Sequence, residues 1–170
     1  NIIEYKGNNI GKSIKEENAN SIINQIISLS KKENCKIIYP EDVIVAKNLN
    51  GPPKIKPINK ITSDEMILDI GPKTIEKISG IIDKSNTILW NGPAGYFENP
   101  NFENGTKKIL EIISEKTTKD KIFSVAGGGE TVAAINKFQR IESFTFVSTA
   151  GGAFLEYLEG KELPGIKVLN

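Results

Sequence analysis

The sequence contains no histidine and only one cysteine, Cys35. A disulfide needs a second cysteine and a Cys/His zinc site needs several such ligands, so both are excluded within this chain. We expect Cys35 to be a small, buried hydrophobic residue. The chain does not begin with methionine, and Met66 is its only one, which suggests a piece of a longer protein.

The chain also lacks a strong charge and long hydrophobic runs. Lysine and arginine number 22 against 21 acidic residues, a formal net charge of +1, so no field attracts nucleic acid or an anionic membrane surface. No apolar run reaches the roughly 20 residues of a membrane span, and the first residues do not resemble a signal peptide. We therefore expect a cytoplasmic protein. Its 170 residues can form one domain or part of one.

Two glycine-rich turns are the most informative features present. An apolar run at 121–126 ends in Gly127, Gly128 and Gly129, and a helix-favouring segment follows. A second apolar run at 144–147 leads through small residues to another helix-favouring segment. Glycines let a phosphoryl group approach the backbone, and the N-terminus of a helix favours an anion. One such turn can be a tight strand-to-helix connection, but two favour a phosphate site.

Hydrophobic periodicity predicts helices and strands in alternation. The predicted helices are 14–32, with a capping box at Ser13, and 73–84, 102–116, 131–138 and 152–158. The predicted strands are 35–39, 43–46, 66–70, 86–90, 122–125 and 144–147, with loops at 47–60 and 91–101. The strands are continuously apolar, which predicts an α/β fold: a doubly wound, mainly parallel, Rossmann-like sheet with helices on both faces. Such sheets bind ligands at the carboxyl ends of their strands, where both glycine turns and the loop after Trp90 fall.

Several longer motifs follow one another in a fixed order along the chain. They are Ile10-Gly11-Lys12-Ser13, Leu68-Asp69-Ile70-Gly71-Pro72, Trp90-Asn91-Gly92-Pro93-Ala94-Gly95-Tyr96-Phe97-Glu98, Gly127-Gly128-Gly129-Glu130-Thr131, Ser148-Thr149-Ala150-Gly151-Gly152-Ala153 and Leu158-Glu159-Gly160-Lys161-Glu162-Leu163-Pro164-Gly165. In sequence and order they closely resemble the nucleotide-binding half of the phosphoglycerate kinases. The resemblance covers essentially the whole chain.

The resemblance implies a glycolytic kinase that passes the acyl phosphate of 1,3-bisphosphoglycerate to ADP. The products are 3-phosphoglycerate and ATP, and Mg²⁺ accompanies the nucleotide phosphates. The family has two domains, and the complete protein is expected to be a monomer. Residues 1–170 then form the later part of the C-terminal, nucleotide-binding domain, while the substrate-binding N-terminal domain and the first part of this domain are absent. We expect the isolated chain to be inactive.

The resemblance also assigns the residues that bind the nucleoside and the loop that approaches the nucleotide phosphates. Leu68 and Tyr96 line the adenine slot, and Glu98 accepts the ribose hydroxyls. Asn91 and Pro93 lie in the loop that approaches the nucleotide phosphates. From the residues alone, Leu68 and Tyr96 would be core residues, Glu98 a solvated loop acid and Pro93 part of a turn.

The glycine turns hold the phosphates and the transferred group in this interpretation. The segment Gly128, Gly129, Glu130 and Thr131 meets the phosphate chain, and the catalytic residues, which face the transferring phosphoryl group, are Gly129, Thr149, Gly151 and Gly152. Glu130 replaces the aspartate usual in the family, which is associated with Mg²⁺. Its extra methylene shifts the carboxylate by about one bond length, so contact with Mg²⁺ through water is favoured over direct contact. Ala150 stands where the family usually has glycine. If the backbone at this position has a negative φ, it tolerates the alanine side chain.

Two other functions stay open at this stage. A Rossmann dehydrogenase also begins with a strand, a glycine turn and a helix, but its spacing is G-x-G-x-x-G and its turn follows the first strand. A non-catalytic nucleotide-binding or interaction module could keep the same α/β core. Tight binding of NAD, as opposed to adenine nucleotides with Mg²⁺, would identify the dehydrogenase.

Overall fold

The computed structural model describes residues 1–169, which divide into two compact units. Unit 1 comprises residues 1–78 and 95–105, and unit 2 comprises residues 79–94 and those from 106 onward. Each unit contains one three-stranded sheet. The sheet of unit 1 is antiparallel and the sheet of unit 2 is parallel.

Unit 1 is built around a central strand that is buried on both faces. Its elements are α1 (Ile2–Tyr5), α2 (Asn20–Lys32), β1 (Asp42–Ala46), β2 (Lys54–Pro57), β3 (Met66–Ile70), the first part of α3 (Pro72–Ile82), and short 3-10 helices at Ile58–Lys60 and Pro100–Phe102. The strand order is β2-β1-β3. Because side chains alternate along β1, Val43 and Val45 pack with one apolar cluster while Ile44 and Ala46 pack with another, which contains Leu68.

Unit 2 has three parallel strands in the order β4-β5-β6. Its elements are β4 (Thr87–Asn91), most of α4 (Asn104–Asp120), β5 (Phe123–Gly127), α5 (Gly129–Lys137), a 3-10 helix at Ile141–Ser143, β6 (Phe146–Val147), α6 (Gly152–Leu158) and α7 (Pro164–Lys167). Trp90 stacks on Phe144, with 6.1 Å between ring centroids. Within residues 1–169, no helix has both the length and the apolarity needed to cross a bilayer.

The predicted α/β fold with a parallel sheet and flanking helices is confirmed. Strand β3 and helix α6 have the predicted bounds, and from α3 to β6 the other elements differ from prediction by a few residues at their ends. These segments have strong periodicity and glycine or proline at their ends. Local sequence is sufficient to place such elements.

The predicted first helix begins too early. Helix α2 starts at Asn20 instead of residue 14, and Asn18 has a positive φ of 59°, which interrupts a right-handed helix. Ser13 is not a helix cap. Its hydroxyl donates to the carbonyl of Ile10 and accepts the N–H of Ile67 at 2.8 Å, which ties it to β3. A contact distant in the chain therefore replaces the predicted capping box.

Four further predictions about residues 35–60 are wrong. Residues 35–39 form no strand, and Cys35 is exposed instead of buried. The predicted loop 47–60 contains β2, which pairs with β1. Strand β1 pairs antiparallel with both neighbours, although its continuous apolar sequence predicts a parallel strand. Pairing between strands decided the last two features, because short segments carry little periodicity of their own.

Candidate functional site

The carboxyl ends of the strands of unit 2 lie at one edge of its sheet. Asn91, the last residue of β4, is the register partner of Gly127, the last residue of β5. Val147 ends β6 beside Ala126. The parallel register therefore places the segments that follow Asn91, Gly127 and Val147 next to one another, as the sequence predicts.

The three consecutive glycines have three different structural environments. A Cβ on Gly127 would lie 2.3 Å from the ring of Phe154, so packing alone requires glycine there. Gly128 has φ of 92°, and a Cβ there would lie 2.5 Å from Oδ1 of Asn91. Gly129, the first residue of α5, has a φ outside the positive range and no heavy atom within 4 Å of the place a Cβ would take. The fold itself therefore does not require glycine at position 129.

The second turn joins β6 to α6. The N–H of Ser148 donates to the carbonyl of Ala126 at 2.8 Å, and the Ser148 hydroxyl accepts the N–H of Ala150. Ala150 does not have a positive φ, so a side chain is tolerated at this position. Gly151 has φ of 56°, while Gly152, like Gly129, begins a helix and has open space where a Cβ would lie.

Both turns line one open cavity of about 290 Å³. Its lining residues are Asn91, Gly92, Gly128, Gly129, Glu130, Thr131, Gly151, Gly152 and Leu155. Thr149 lines a smaller neighbouring cavity of about 150 Å³, which shares Gly129 and Gly151 with the first. Pro93 is not among the lining residues of either cavity. The structure therefore brings together most of the residues predicted to meet the phosphates.

Thr131 joins the loop after β4 to helix α5. It is 1% exposed, and its Oγ1 accepts the N–H of Gly92 at 2.6 Å. This bond holds Gly92, which has φ of 92°, against the first turn of α5. The sequence interpretation did not include this contact, which gives Thr131 a part in shaping the cavity wall.

Glu130 is exposed in the first turn of α5 and makes no hydrogen bond or ion pair with residues 1–169. In the described part of the chain, no three Asp, Glu, Cys or His side chains cluster as a metal site would require. A single free carboxylate fits Mg²⁺ that arrives with phosphate oxygens, because Mg²⁺ is commonly held by one or two carboxylates, substrate phosphates and water. The donor set thus fits a metal carried by a ligand and does not fit a resident metal.

The residues predicted for the nucleoside lie in unit 1. Leu68 is buried in β3 with Phe102, and Tyr96 packs against the same cluster. The N–H of Tyr96 donates to the carbonyl of Leu68 at 2.8 Å, while Glu98 is exposed two residues further on. Leu68 also lines an apolar cavity of about 420 Å³, and neither Tyr96 nor Glu98 lines it.

Asp69 is a buried carboxylate that the sequence interpretation did not single out. It is 1% exposed, and it accepts the N–H of Gly105 at 2.7 Å and the N–H of Ile70 at 2.8 Å. Burial raises the pKa of the Asp69 carboxyl to about 6, although both hydrogen bonds act in the opposite direction. An acidic residue inside an otherwise apolar strand was the signal that could have identified it.

Asp69 should make the chain less stable as the pH rises from about 4 to about 6. The folded state holds the Asp69 proton more tightly than the unfolded state, so its stabilising contribution is complete below about pH 4 and is lost above about pH 6. The expected loss is on the order of 3 kcal/mol. Urea unfolding of the wild type and of Asp69→Asn at several pH values measures it.

The comparison with Asp69→Asn cancels the effect of other acids. Asp64, for example, has its pKa lowered by a hydrogen bond from Lys47, so it acts in the opposite sense. We expect the stability of the wild type relative to the variant to fall between pH 4 and pH 6. A difference that is independent of pH would contradict the assignment.

Comparisons with known proteins identify the family. A family model described as phosphoglycerate kinase matches residues 1–161. The phosphoglycerate kinase of Zymomonas mobilis subsp. mobilis is 43% identical over 167 residues, which are 97% of this chain and 42% of that protein. That of Rhizobium leguminosarum bv. trifolii is 44% identical over 170 residues, 99% of this chain and 42% of that protein.

Two solved structures support the same relationship. The structure of phosphoglycerate kinase from Coxiella burnetii has a TM-score of 0.91 and 39% identity, covering 99% of this chain and 43% of that chain. The enzyme from Pyrococcus horikoshii has a TM-score of 0.70 and 30% identity, covering 96% of this chain and 41% of that chain. The chain thus spans less than half the length of these relatives, and it belongs to the phosphoglycerate kinase family.

Proposed function

We propose that this chain is the later part of the nucleotide-binding domain of an enzyme that transfers the acyl phosphate of 1,3-bisphosphoglycerate to ADP, giving 3-phosphoglycerate and ATP. Membership of the phosphoglycerate kinase family supports the reaction. The missing length, by comparison with the relatives, leaves room for a domain that binds the phosphoglycerate. The complete protein would be a cytoplasmic monomer of glycolysis.

The open space at Gly129 and Gly152 is the observation that carries the proposal. Both glycines begin helices at the rim of one cavity, and neither is required by backbone conformation or by packing within the protein. A phosphoryl group placed there would meet backbone N–H groups at close range, which a side chain would prevent. Gly127 and Gly128 carry no such information, because the fold explains both.

Transfer of a phosphoryl group asks for alignment and for dispersal of negative charge. The first turns of α5 and α6 would direct N–H groups at the phosphates from two sides of the cavity, and Asn91 would contribute its amide. Thr149, beside Gly151 in the neighbouring cavity, would add a hydroxyl donor. None of these groups needs to act as a base.

Glu130 would hold the Mg²⁺ of the nucleotide, directly or through water. The ion, when bound, would neutralise charge on the phosphate oxygens. The free carboxylate of Glu130 at the cavity rim supports this role, because a carboxylate at a phosphate site is useful only with a cation between them. The Asn91 amide oxygen is a second hard donor in the same lining.

Leu68 and Tyr96 would contact the adenine, and Glu98 would accept the ribose hydroxyls. The two apolar side chains share one cluster and a backbone hydrogen bond, so they can present a single apolar surface to a flat base. The exposed carboxylate of Glu98 is free to accept two hydroxyls. Pro93 would shape the loop that approaches the nucleotide phosphates.

The test is a coupled assay of the complete protein with 1,3-bisphosphoglycerate, ADP and Mg²⁺, read as ATP formation. We expect turnover by the complete protein and none by the 170-residue chain, which spans less than half the length of its relatives. Binding of ADP without turnover by the complete protein would support a non-catalytic nucleotide-binding module instead. Tight binding of NAD with no binding of ADP would contradict the proposal altogether.

A further inference from the structure

The segment that carries Tyr96 and Glu98 is held on unit 1 by hydrogen bonds near its start, in its middle and at its end. We define it as the Gly95–Gly105 loop, which belongs to unit 1 although the residues on either side of it do not. Near its start, the N–H of Tyr96 donates to the carbonyl of Leu68. At its end, the N–H of Gly105 donates to Oδ2 of Asp69, the residue next to Leu68 in β3. In the middle, Nδ2 of Asn99 donates to the carbonyl of Leu49 at 2.8 Å.

The carboxylate of Asp69 is enclosed by this loop. A Cβ on Gly95 would lie 2.4 Å from Oδ1 of Asp69, and a Cβ on Gly105 would lie 2.2 Å from the same oxygen. Both ends of the loop therefore approach the carboxylate more closely than any residue with a side chain could. Phe102 belongs to the same loop, is fully buried and packs in one apolar cluster with Leu68.

A second buried aspartate in unit 1 performs a different task. Asp42 in β1 is 4% exposed and accepts the N–H groups of Lys73 and Thr74, in the first turn of α3. These bonds, with one from the Thr74 hydroxyl, attach the Asp42 carboxylate to α3. Asp42 and Asp69 are thus similar in chemistry and burial, and they hold different segments.

We propose that Asp69 is a positioning residue for nucleoside binding: its buried carboxylate fixes both ends of the Gly95–Gly105 loop on β3, so that Tyr96 and Glu98 are held in a set position relative to Leu68. The inference rests on the proposed function. A hydrogen bond to a charged acceptor is the stronger kind, and a buried carboxylate surrounded by glycine backbone allows little displacement of the loop. The ordering of the loop would then be complete before the nucleotide arrives.

The test measures the affinity of the complete enzyme for two ligands in the presence of Mg²⁺: ADP, and tripolyphosphate, which has no nucleoside. Asp69→Asn should weaken ADP binding by about tenfold or more and leave tripolyphosphate binding unchanged. Asp42→Asn is the matched control. It should lower the melting temperature as Asp69→Asn does, without changing the affinity for either ligand.

A surface variant keeps the inference testable if Asp69→Asn does not fold. Asn99→Ala removes the exposed anchor of the same loop and should weaken ADP binding by about two- to fivefold, again without effect on tripolyphosphate. Hydrogen exchange should quicken at Tyr96 and Gly105 in both variants and stay unchanged in β5.

The outcomes separate this inference from the proposed function. If the wild type does not bind ADP, the proposed function fails. If the wild type binds ADP and Asp69→Asn binds it equally well, the positioning role is wrong while the proposed function stands. The same conclusion follows if Asp69→Asn loses affinity for ADP and for tripolyphosphate in equal proportion. If Asp42→Asn lost affinity for ADP to the same extent, a general loss of stability would explain the effect of Asp69→Asn, and the positioning role would be wrong.

Discussion

Gly129→Ala and Gly152→Ala are each expected to lower the turnover number of the complete enzyme by about 100-fold, with the melting temperature unchanged or slightly raised. The methyl group would enter space that is empty in the protein itself, so nothing in the fold resists it. In the proposed reaction that same space is occupied by a phosphoryl group. Displacement of the reacting group by about 1 Å is sufficient for a loss of this size.

Two other glycines provide the controls for this experiment. Gly80 lies in the interior of α3, also has open space where a Cβ would lie, and lines neither cavity of the site. Gly80→Ala should stabilise the protein by about 0.5–1 kcal/mol and leave turnover unchanged. Gly128→Ala should instead lower the melting temperature, because of its positive φ and the nearby Asn91. If Gly129→Ala and Gly152→Ala behaved like Gly80→Ala in both measurements, the phosphate site would be misplaced.

Glu130→Gln is expected to lower turnover by at least about tenfold and to weaken the Mg²⁺ dependence of nucleotide binding, without loss of thermal stability. The neutral amide keeps the size of the side chain but holds a cation poorly. Stability should not fall, because Glu130 makes no hydrogen bond or ion pair with residues 1–169 that the substitution would break. The measurements are steady-state kinetics over a range of Mg²⁺ concentrations and a thermal melt.

Glu142→Gln is the matched control for Glu130. Glu142 is also exposed in the first turn of a short helix of unit 2, but it precedes β6 instead of following a strand end, and it does not line the cavity. Its substitution should change neither turnover nor Mg²⁺ dependence. A marked fall in the melting temperature of Glu130→Gln, with unaltered Mg²⁺ dependence, would mean that Glu130 only stabilises the N-terminus of α5.

The sequence by itself was sufficient for the part of the fold that surrounds the cavity. From β3 to α6, apolar runs alternate with amphipathic stretches, and glycine or proline marks the boundaries, so local preferences agree with the final structure. Because the strands of unit 2 are parallel, their carboxyl ends had to meet at one edge. The sequence alone therefore predicts that the glycine turns, Asn91 and Glu130 lie at one edge of the sheet.

Only the tertiary structure decided which residues the fold itself requires and which it does not. Gly127, Gly128 and Gly129 are three glycines in a row, which the sequence alone does not tell apart. Phe154 packs against the first and Asn91 against the second, while the third has open space beside it. The same holds for Ser13, which bonds to β3, and for strand β2, which exists because β1 lies beside it. The glycine backbone that encloses the Asp69 carboxylate likewise comes from Gly95 and Gly105, which are distant from it in the chain. Contacts between distant residues set these roles, and a sequence pattern reports only on residues a few positions apart.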